Sequence, residues 1–175
     1  IAPLLTVPGL RWVSLQVGPR AADVSQCGFD GQIENLSDRI RDWGDTADLV
    51  ASCDFVLSVD TGVAHLAGAL GKPVWTLLHH AADWRWLRGR EDSPWYPTMR
   101  LFRQEHPGNW LGVIERVRGA LHDLVTDRAH GTAMLNMSAH SSSSANTTGA
   151  QDQDQPTGHA VLSSPLLPIV QGSHL

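Results

Sequence analysis

The chain has 175 residues and a formal net charge of −5 at pH 7. This acidic balance argues against a nucleic-acid-binding protein, which usually presents a basic face. The sequence contains no apolar run long enough for a transmembrane span. Residues 1–5 lack the basic start of a signal peptide, so we expect a cytoplasmic protein in which the two cysteines, Cys27 and Cys53, are free thiols.

The composition changes near residue 127. Every Trp, Tyr and Phe lies before that point, and the chain then turns to Ser, Thr, Gln, Asn and Gly. Such a stretch offers too little apolar surface to offset its ordering entropy. We therefore expect a folded domain over 1–127 and a disordered, low-complexity tail over 128–175. The apolar patch 161–170 leaves a second interpretation open, a short extended docking peptide, although we favour an inert tail.

The first half of the folded region shows one clear strand and one weaker strand. Residues 10–16 follow the turn residues Pro8-Gly9 and predict a strand, and the polar stretch 19–31 predicts a loop. Asp45-Thr46 is a good helix start for a short helix over 47–52. The compact apolar run 55–59 is typical of a strand buried on both faces of a parallel sheet.

The second half continues the alternation. A helix is predicted over 62–70 because its apolar residues fall on one face, and Gly71 suits its end. Residues 73–78 predict a strand, 79–98 a long aromatic loop and 99–102 a further strand. Asn109 caps a predicted final helix that runs to about residue 125. Strands that alternate with helices predict an α/β fold with a parallel sheet covered by helices.

The residues that carry chemistry follow the strand over 55–59. Ligands of open α/β sheets bind at the carboxyl ends of strands, where the next helix presents free N–H groups and the positive end of its dipole. Gly62 would let a phosphate approach the backbone, and Thr61 offers a hydroxyl. His65 lies one helical turn further on, and Asp60 could cap the helix or bind a sugar hydroxyl. The alternative is purely structural: Asp60 and Thr61 cap a helix and His65 is a core histidine.

The run Asp60-Thr61-Gly62-Val63-Ala64-His65 resembles the Asp-Thr/Ser-Gly/Ser-x-x-His motif of glycosyltransferase family 9, the ADP-heptose:lipopolysaccharide heptosyltransferases. The likeness continues to Trp75 and covers roughly residues 1–124. It is closest to the domain that ends certain bacterial tetratricopeptide-repeat proteins. Other segments that resemble that domain are 13–19, 45–47, 83–87 and 90–97.

The resemblance implies a Rossmann-like domain, the C-terminal half of a GT-B-type glycosyltransferase. By position in the motif, Asp60, Thr61, Gly62 and His65 would contact the diphosphate and adjoining sugar of a nucleotide-sugar donor. The parent enzyme would transfer that sugar to a hydroxyl acceptor, without a metal or other cofactor. The reaction would take place in the cleft between two domains.

This sequence also departs from the family pattern. It lacks the N-terminal acceptor domain, where the family keeps its catalytic Asp, and the first strand of the donor domain with its basic loop. We therefore expect an incomplete domain that is inactive alone and has the missing N-terminal domain as a partner. The catalytic residues remain unknown. A second function is open, a non-catalytic protein-interaction module derived from a glycosyltransferase fused to tetratricopeptide repeats.

The loop over 79–98 supplies further candidates. His79, Asp83, Trp84 and Arg85 follow a strand's carboxyl end and are possible donor contacts. His79, His80 and Asp83 could instead ligate a metal, but their spacing is not a recognised one, and we predict no metal site. The aromatic residues of this loop could stack on the donor base, pack on the missing domain or simply fill the core under the loop. Arg85, Arg88 and Arg90 could bind phosphate, but for Arg88 and Arg90 we favour ion pairs with Glu91 and Asp92.

Overall fold

A computed structural model describes residues 1–142 and 168–171, with side chains described up to residue 128. It contains a six-stranded sheet, five α-helices and three short 3₁₀ turns within those residues. The strands are β1 Trp12–Ser14, β2 Ile33–Asn35, β3 Phe55–Val59, β4 Val74–Leu78, β5 Met99–Arg103 and β6 Pro168–Gln171; the helices are α1 Ala2–Leu5, α2 Asp23–Gln26, α3 Trp43–Ser52, α4 Gly62–Ala69 and α5 Trp110–Ser142.

All strand pairs in the sheet are parallel, in the order β2-β1-β6-β3-β4-β5. The carboxyl ends of the strands therefore lie along one edge of the sheet. Asp60 follows β3, His79 follows β4 and Gln104 follows β5, so these three segments share that edge. The prediction of an α/β fold with a parallel sheet is confirmed.

The core has two layers because successive side chains of a buried strand point to opposite faces. Val56 of β3 packs with Ala64 and Ala67 of α4 on one face. Phe55 and Leu57 lie on the other face, in the same cluster as the apolar side of α5. Both faces are fully covered along β3, as the unbroken apolar run predicts for a central parallel strand.

Several predicted element boundaries agree with the structure. β3 occupies 55–59 as predicted, and α4 begins at Gly62 and ends in front of Gly71, whose φ of +68° is the left-handed conformation that glycine favours. Asn109 caps the start of α5, because its Oδ1 accepts a hydrogen bond from the Gly112 N–H at 3.1 Å.

Other boundaries need correction. The α3 helix begins at Trp43, earlier than predicted, because Asp42 is the N-cap and its carboxylate accepts from the N–H groups of Gly44 and Asp45. The segment 19–31, predicted as a loop, contains a 3₁₀ turn and α2. The strand β2 was not predicted, because its single buried residue, Ile33, gives too short an apolar pattern.

The structure differs from the prediction at the end of the last helix and at residues 168–171. The α5 helix was predicted to end near residue 125, but it continues to Ser142, and Pro168–Gln171 forms β6 between β1 and β3. The predicted end of the last helix is therefore wrong, the disorder of the tail stays a prediction, and the extended alternative for the apolar patch fits 168–171. Position explains the difference, because a strand that pairs on both sides satisfies its backbone groups without an alternating side-chain pattern. The rest of the predicted tail lies outside the described residues.

Within the described part of the chain, none of the helices combines the length and the apolar character needed to cross a membrane.

Candidate functional site

The predicted site lies at the turn between β3 and α4. Thr61 is the N-cap of α4, with extended backbone angles, and no side-chain hydrogen bond from the described residues caps this helix. The Thr61 Oγ1 instead pairs with the Ser58 Oγ at 2.9 Å. The N–H groups of Gly62 and Val63 therefore have no acceptor among the described residues, whereas that of Ala64 donates to the Thr61 carbonyl at 3.1 Å. This helix end carries the positive end of the helix dipole. An anion is the ligand that such a helix end suits best.

Asp60 does not cap the helix. Its Oδ2 accepts a hydrogen bond of 2.8 Å from the indole Nε1–H of Trp86, a residue of the loop after β4. Its Oδ1 lies 3.7 Å from His65 Nε2 and 3.9 Å from Arg85 Nη1. Of the two roles predicted for Asp60, capping is wrong, and its carboxylate faces the loop instead.

His65 is held by two aromatic side chains of the same loop. Its ring stacks on Trp86, with centroids 5.2 Å apart and planes 20° apart. Its Nδ1 is 3.0 Å from the Tyr96 hydroxyl. When Tyr96 donates this hydrogen bond, the proton of the neutral imidazole is on Nε2, which faces Asp60. The result is a connected group of Asp60, His65, Trp86 and Tyr96 with a defined orientation.

Two glycines of α4 make this packing possible. A Cβ on Gly68 would lie 2.5 Å from Tyr96 Cγ, so the ring rests directly on the glycine. A Cβ on Gly62 would lie 2.6 Å from Trp43 Cη2, which brings the indole of α3 over the start of α4. Trp43 is 61% exposed, so its ring forms a wall beside the open helix end.

A cavity of about 480 Å³ adjoins this wall. Its lining includes Trp43, Val63 and Ile40, together with the end of β1 at Leu15 and Val17. The polar part of its lining consists of Arg41, Asp42 and Thr46. The cavity thus has a flat aromatic surface next to the start of α4.

The structure separates the remaining candidates. Arg85 joins the site, since it lies between Asp60 and Asp83, with its Nε 3.3 Å from Asp83 Oδ1. Asp83 also caps the 3₁₀ turn by accepting from the Arg85 N–H. Trp84 is 72% exposed and His79 is also exposed, and neither side chain makes a polar contact with the motif among the described residues. Within that same part of the chain, His79, His80 and Asp83 do not form a group that could hold a metal.

Sequence reasoning missed Trp86, Tyr96 and Trp43 as the residues that contact the motif. The loop aromatics were noticed as a set, but their sequence gives no sign of which ring faces His65. Trp43 could not be found, because its contact depends on how α3 packs beside α4. The glycines at 62 and 68 are the only local signal, since each leaves room for a ring.

Comparisons with known proteins agree with the motif. Residues 27–108 match the family model described as Glycosyltransferase family 9 (heptosyltransferase). The matched region contains α3, β3, α4, the aromatic loop and β5, so it includes the motif and the side chains that contact it. This match supports a glycosyltransferase-related domain of the kind that the motif indicates.

A curated relative is similar over a longer stretch. The chain is 34% identical over 125 residues to "Protein FlbA" of Caulobacter vibrioides (strain ATCC 19089 / CIP 103742 / CB 15). The alignment covers 69% of this chain and 21% of that protein, so the chain spans about a fifth of its relative. No solved structure gives a significant match.

Proposed function

We propose that this chain carries the nucleotide-sugar-binding part of a glycosyltransferase. The observation that carries the proposal is the uncapped start of α4 directly after β3, with Asp60 and His65 beside it. The family match over the same residues supports it. The parent enzyme would transfer a sugar from a nucleoside-diphosphate sugar to a hydroxyl acceptor.

The diphosphate would bind at the first turn of α4. Gly62 leaves the backbone accessible, and the Thr61 hydroxyl lies beside it. As the bond between sugar and diphosphate breaks, negative charge grows on the leaving diphosphate, and the fixed helix dipole stabilises it there. Asp60 and His65 would hold hydroxyl groups of the sugar, and Arg85 would add positive charge.

The nucleobase would occupy the cavity beside Trp43. A purine or pyrimidine could stack on the exposed indole while its diphosphate reaches Gly62, because the ring lies directly over that glycine. This arrangement accounts for a large aromatic side chain that is 61% exposed. It gives the site a base-binding end and a phosphate-binding end.

The GT-B arrangement, the acceptor and the catalytic base are further parts of the proposal. A base would come from a second domain outside this chain, so the chain alone would bind donor without transferring the sugar. A cytoplasmic location, where nucleotide sugars are made, would fit this role. Heptosyl specificity and an attachment to tetratricopeptide repeats are proposed from the resemblance of the motif to glycosyltransferase family 9.

A non-catalytic interaction module is a second candidate, and one observation favours it. Asp60 and His65 already have intramolecular partners in Trp86 and Tyr96, so both side chains have a structural role without a ligand. Trp84 and Trp95 are also more than half exposed and could contact a protein. A scaffold has no need to bind nucleotides, which separates the two candidates.

The test is a calorimetric titration of the full chain with ADP, UDP, GDP and the matching nucleotide sugars. We expect saturable binding to one nucleotide class, weakened about tenfold, or about 1.4 kcal/mol, by His65→Ala. His122→Ala is the matched control, since His122 is exposed on α5 far along the chain from the motif. Absence of binding by the folded chain, or equal effects of both substitutions, would contradict donor binding and favour the scaffold.

A further inference from the structure

A second cavity, which is lined mainly by polar side chains, lies along the carboxyl edge of the sheet, after β4 and β5. Its volume is about 520 Å³. Four arginines line it, against two glutamates: Arg88, Arg90, Arg103 and Arg116 face Glu91 and Glu105. The excess of positive charge in one cavity of an acidic protein calls for an explanation.

Carboxylates pair with only two of these four arginines. Arg90 is paired with Asp92 at 2.5 Å, and Glu105 lies 3.7 Å from Arg116. Glu91 pairs with Arg100 at 3.2 Å, an arginine that does not line the cavity. Among the described residues, Arg88 and Arg103 are left without a carboxylate partner.

Arg103 is the more buried of this unneutralised pair. Burial lowers the pKa of its guanidinium, and the positive charge of Arg88 lowers that pKa further. Two guanidinium groups that repel each other in one cavity, neither with a carboxylate partner among the described residues, are an unfavourable arrangement. An anionic ligand in the cavity would offset the repulsion and favour the charged guanidinium.

The loop before β5 holds Arg103 in place. Its Nη2 donates hydrogen bonds to the carbonyls of Trp86 at 3.2 Å and Leu87 at 2.6 Å. Leu87 has a φ of +48°, a conformation that a branched side chain rarely adopts. Such backbone strain persists only where neighbouring contacts enforce it, and it is common at ligand sites. The Nε and Nη1 groups of Arg103 have no acceptor among the described residues.

A buried donor without a partner lines the same cavity. Gln104 is only 3% exposed, and its Oε1 accepts hydrogen bonds of 3.2 Å from the N–H groups of His80 and Gly108. These two bonds fix the orientation of the amide. Its Nε2 is left without an acceptor in the described structure. A buried donor that lacks a partner is destabilising, which an acceptor in the cavity would relieve.

We propose that this cavity is an anion site for a phosphate or carboxylate group of a small molecule, bound chiefly by Arg88 and Arg103. Guanidinium groups are well suited to either group, because they can donate two parallel hydrogen bonds to its oxygens. The site is separate from the α4 helix end, since it follows β4 and β5 and uses none of the motif residues. It does not depend on the proposed donor function.

One loop, which follows β4, contacts both the motif and the second cavity. Arg85 and Trp86 contact Asp60 on one side, while Arg88 lines the second cavity on the other. A ligand whose anionic group is held by Arg88 and Arg103 would therefore sit on the same edge of the sheet as the motif. An acidic small molecule is the class of ligand that this placement selects.

The experiment titrates the full chain separately with inorganic phosphate and with citrate, at ionic strength held constant with sodium chloride. Binding is followed by the arginine side-chain N–H signals in NMR spectra. We expect saturable binding of at least one probe, weakened at least about fivefold by Arg88→Ala. A preference for phosphate or for citrate identifies the group that the site takes.

Arg118→Ala is the matched control, because it removes the same charge from α5 outside the cavity, and we expect it to change the affinity less than about twofold. A second variant, Gln104→Glu, keeps the shape of the side chain and puts a carboxylate in place of the unpaired donor, so binding should be lost. Saturation that Arg88→Ala leaves unchanged would overturn the proposal, since the anion would then be bound elsewhere. Equal losses in Arg88→Ala and Arg118→Ala, or no saturable binding of either probe, would overturn it as well.

Discussion

At the scale of single residues, partners distant in sequence fix the side chains of the motif. Trp86 donates to Asp60, and Tyr96 reaches His65 across an interval of 31 residues. The orientation of the motif therefore depends on the loop after β4 as much as on the turn that carries it. A motif search finds Asp60 and His65, but it does not find what orients them.

Arg41 and Asp45, which lie at the start of α3, give a test of the electrostatics at this scale. The hydrogen bonds from Arg41 lower the pKa of Asp45 from 3.8 to about 2. Because the pKa is lower in the folded state, this pair stabilises the fold fully above about pH 4 and less and less as the pH falls towards about 2.

We expect Asp45→Asn to make the melting temperature fall less steeply between about pH 4 and pH 2, as measured by circular dichroism. The matched control is Asp48→Asn, an exposed carboxylate on the same helix. If the melting temperature of Asp45→Asn falls as steeply between about pH 4 and pH 2 as that of the unsubstituted chain, the pair contributes nothing to the stability of the fold.

At the scale of elements, the contact between α4 and the loop depends on Gly68. A methyl group there would lie 2.5 to 2.9 Å from three atoms of Tyr96, so the ring has to move. We expect Gly68→Ala to destabilise the fold by about 1–3 kcal/mol in spite of its better helix propensity, because a packed contact is forced apart. Urea unfolding measures this change.

Gly119→Ala is the control for that substitution. Gly119 lies in α5, and a Cβ there would meet no atom within 4 Å, so the same change should stabilise the helix slightly. Equal effects at the two glycines would contradict the close contact between Tyr96 and α4.

β6 is the element that sequence reasoning could not place. It lies between β1 and β3, with Pro168 beside Phe55 and Ile169 beside Val56. Four residues with a proline at the start carry too weak a pattern to predict a central strand. The pairing partners, which lie more than 100 residues earlier in the chain, determine its position.

The position of β6 between β1 and β3 can be tested by truncation of the chain. Removal of residues 168–175 would leave the facing edges of β1 and β3 without hydrogen-bond partners, and exposed strand edges promote association. We expect the truncated chain to melt at least about 5 °C lower and to associate in sedimentation experiments. A truncated chain that is monomeric and equally stable would show that the sheet does not need β6.

At the scale of the whole molecule, the sequence predicts the architecture well and the site only in part. Continuous apolar runs and helix caps are local signals, so β3, α4, β4 and the start of α5 could be predicted from them. The short strands β2 and β6 depend on distant pairing, and their local patterns are weak. The site shows the same division, since Thr61 and Gly62 follow from the turn, whereas Trp43 and Tyr96 depend on packing.

The two proposed sites share one edge of the sheet and differ in chemistry. The start of α4 offers backbone donors beside an aromatic wall, which suits a nucleoside diphosphate. The second cavity offers arginine side chains, which suit a compact anion. A chain that binds both ligands would bring them together around the loop of Asp83, Arg85 and Trp86.

A donor site at the start of α4 can be tested by ¹H–¹⁵N NMR spectra of the full chain, recorded during titration with the nucleoside diphosphate that binds best. We expect the largest saturable shifts at the backbone amide signals of Gly62 and Val63 and at the indole N–H signal of Trp43. A response centred elsewhere on the protein, or no response at those three groups at saturating nucleotide, would contradict a donor site at the start of α4.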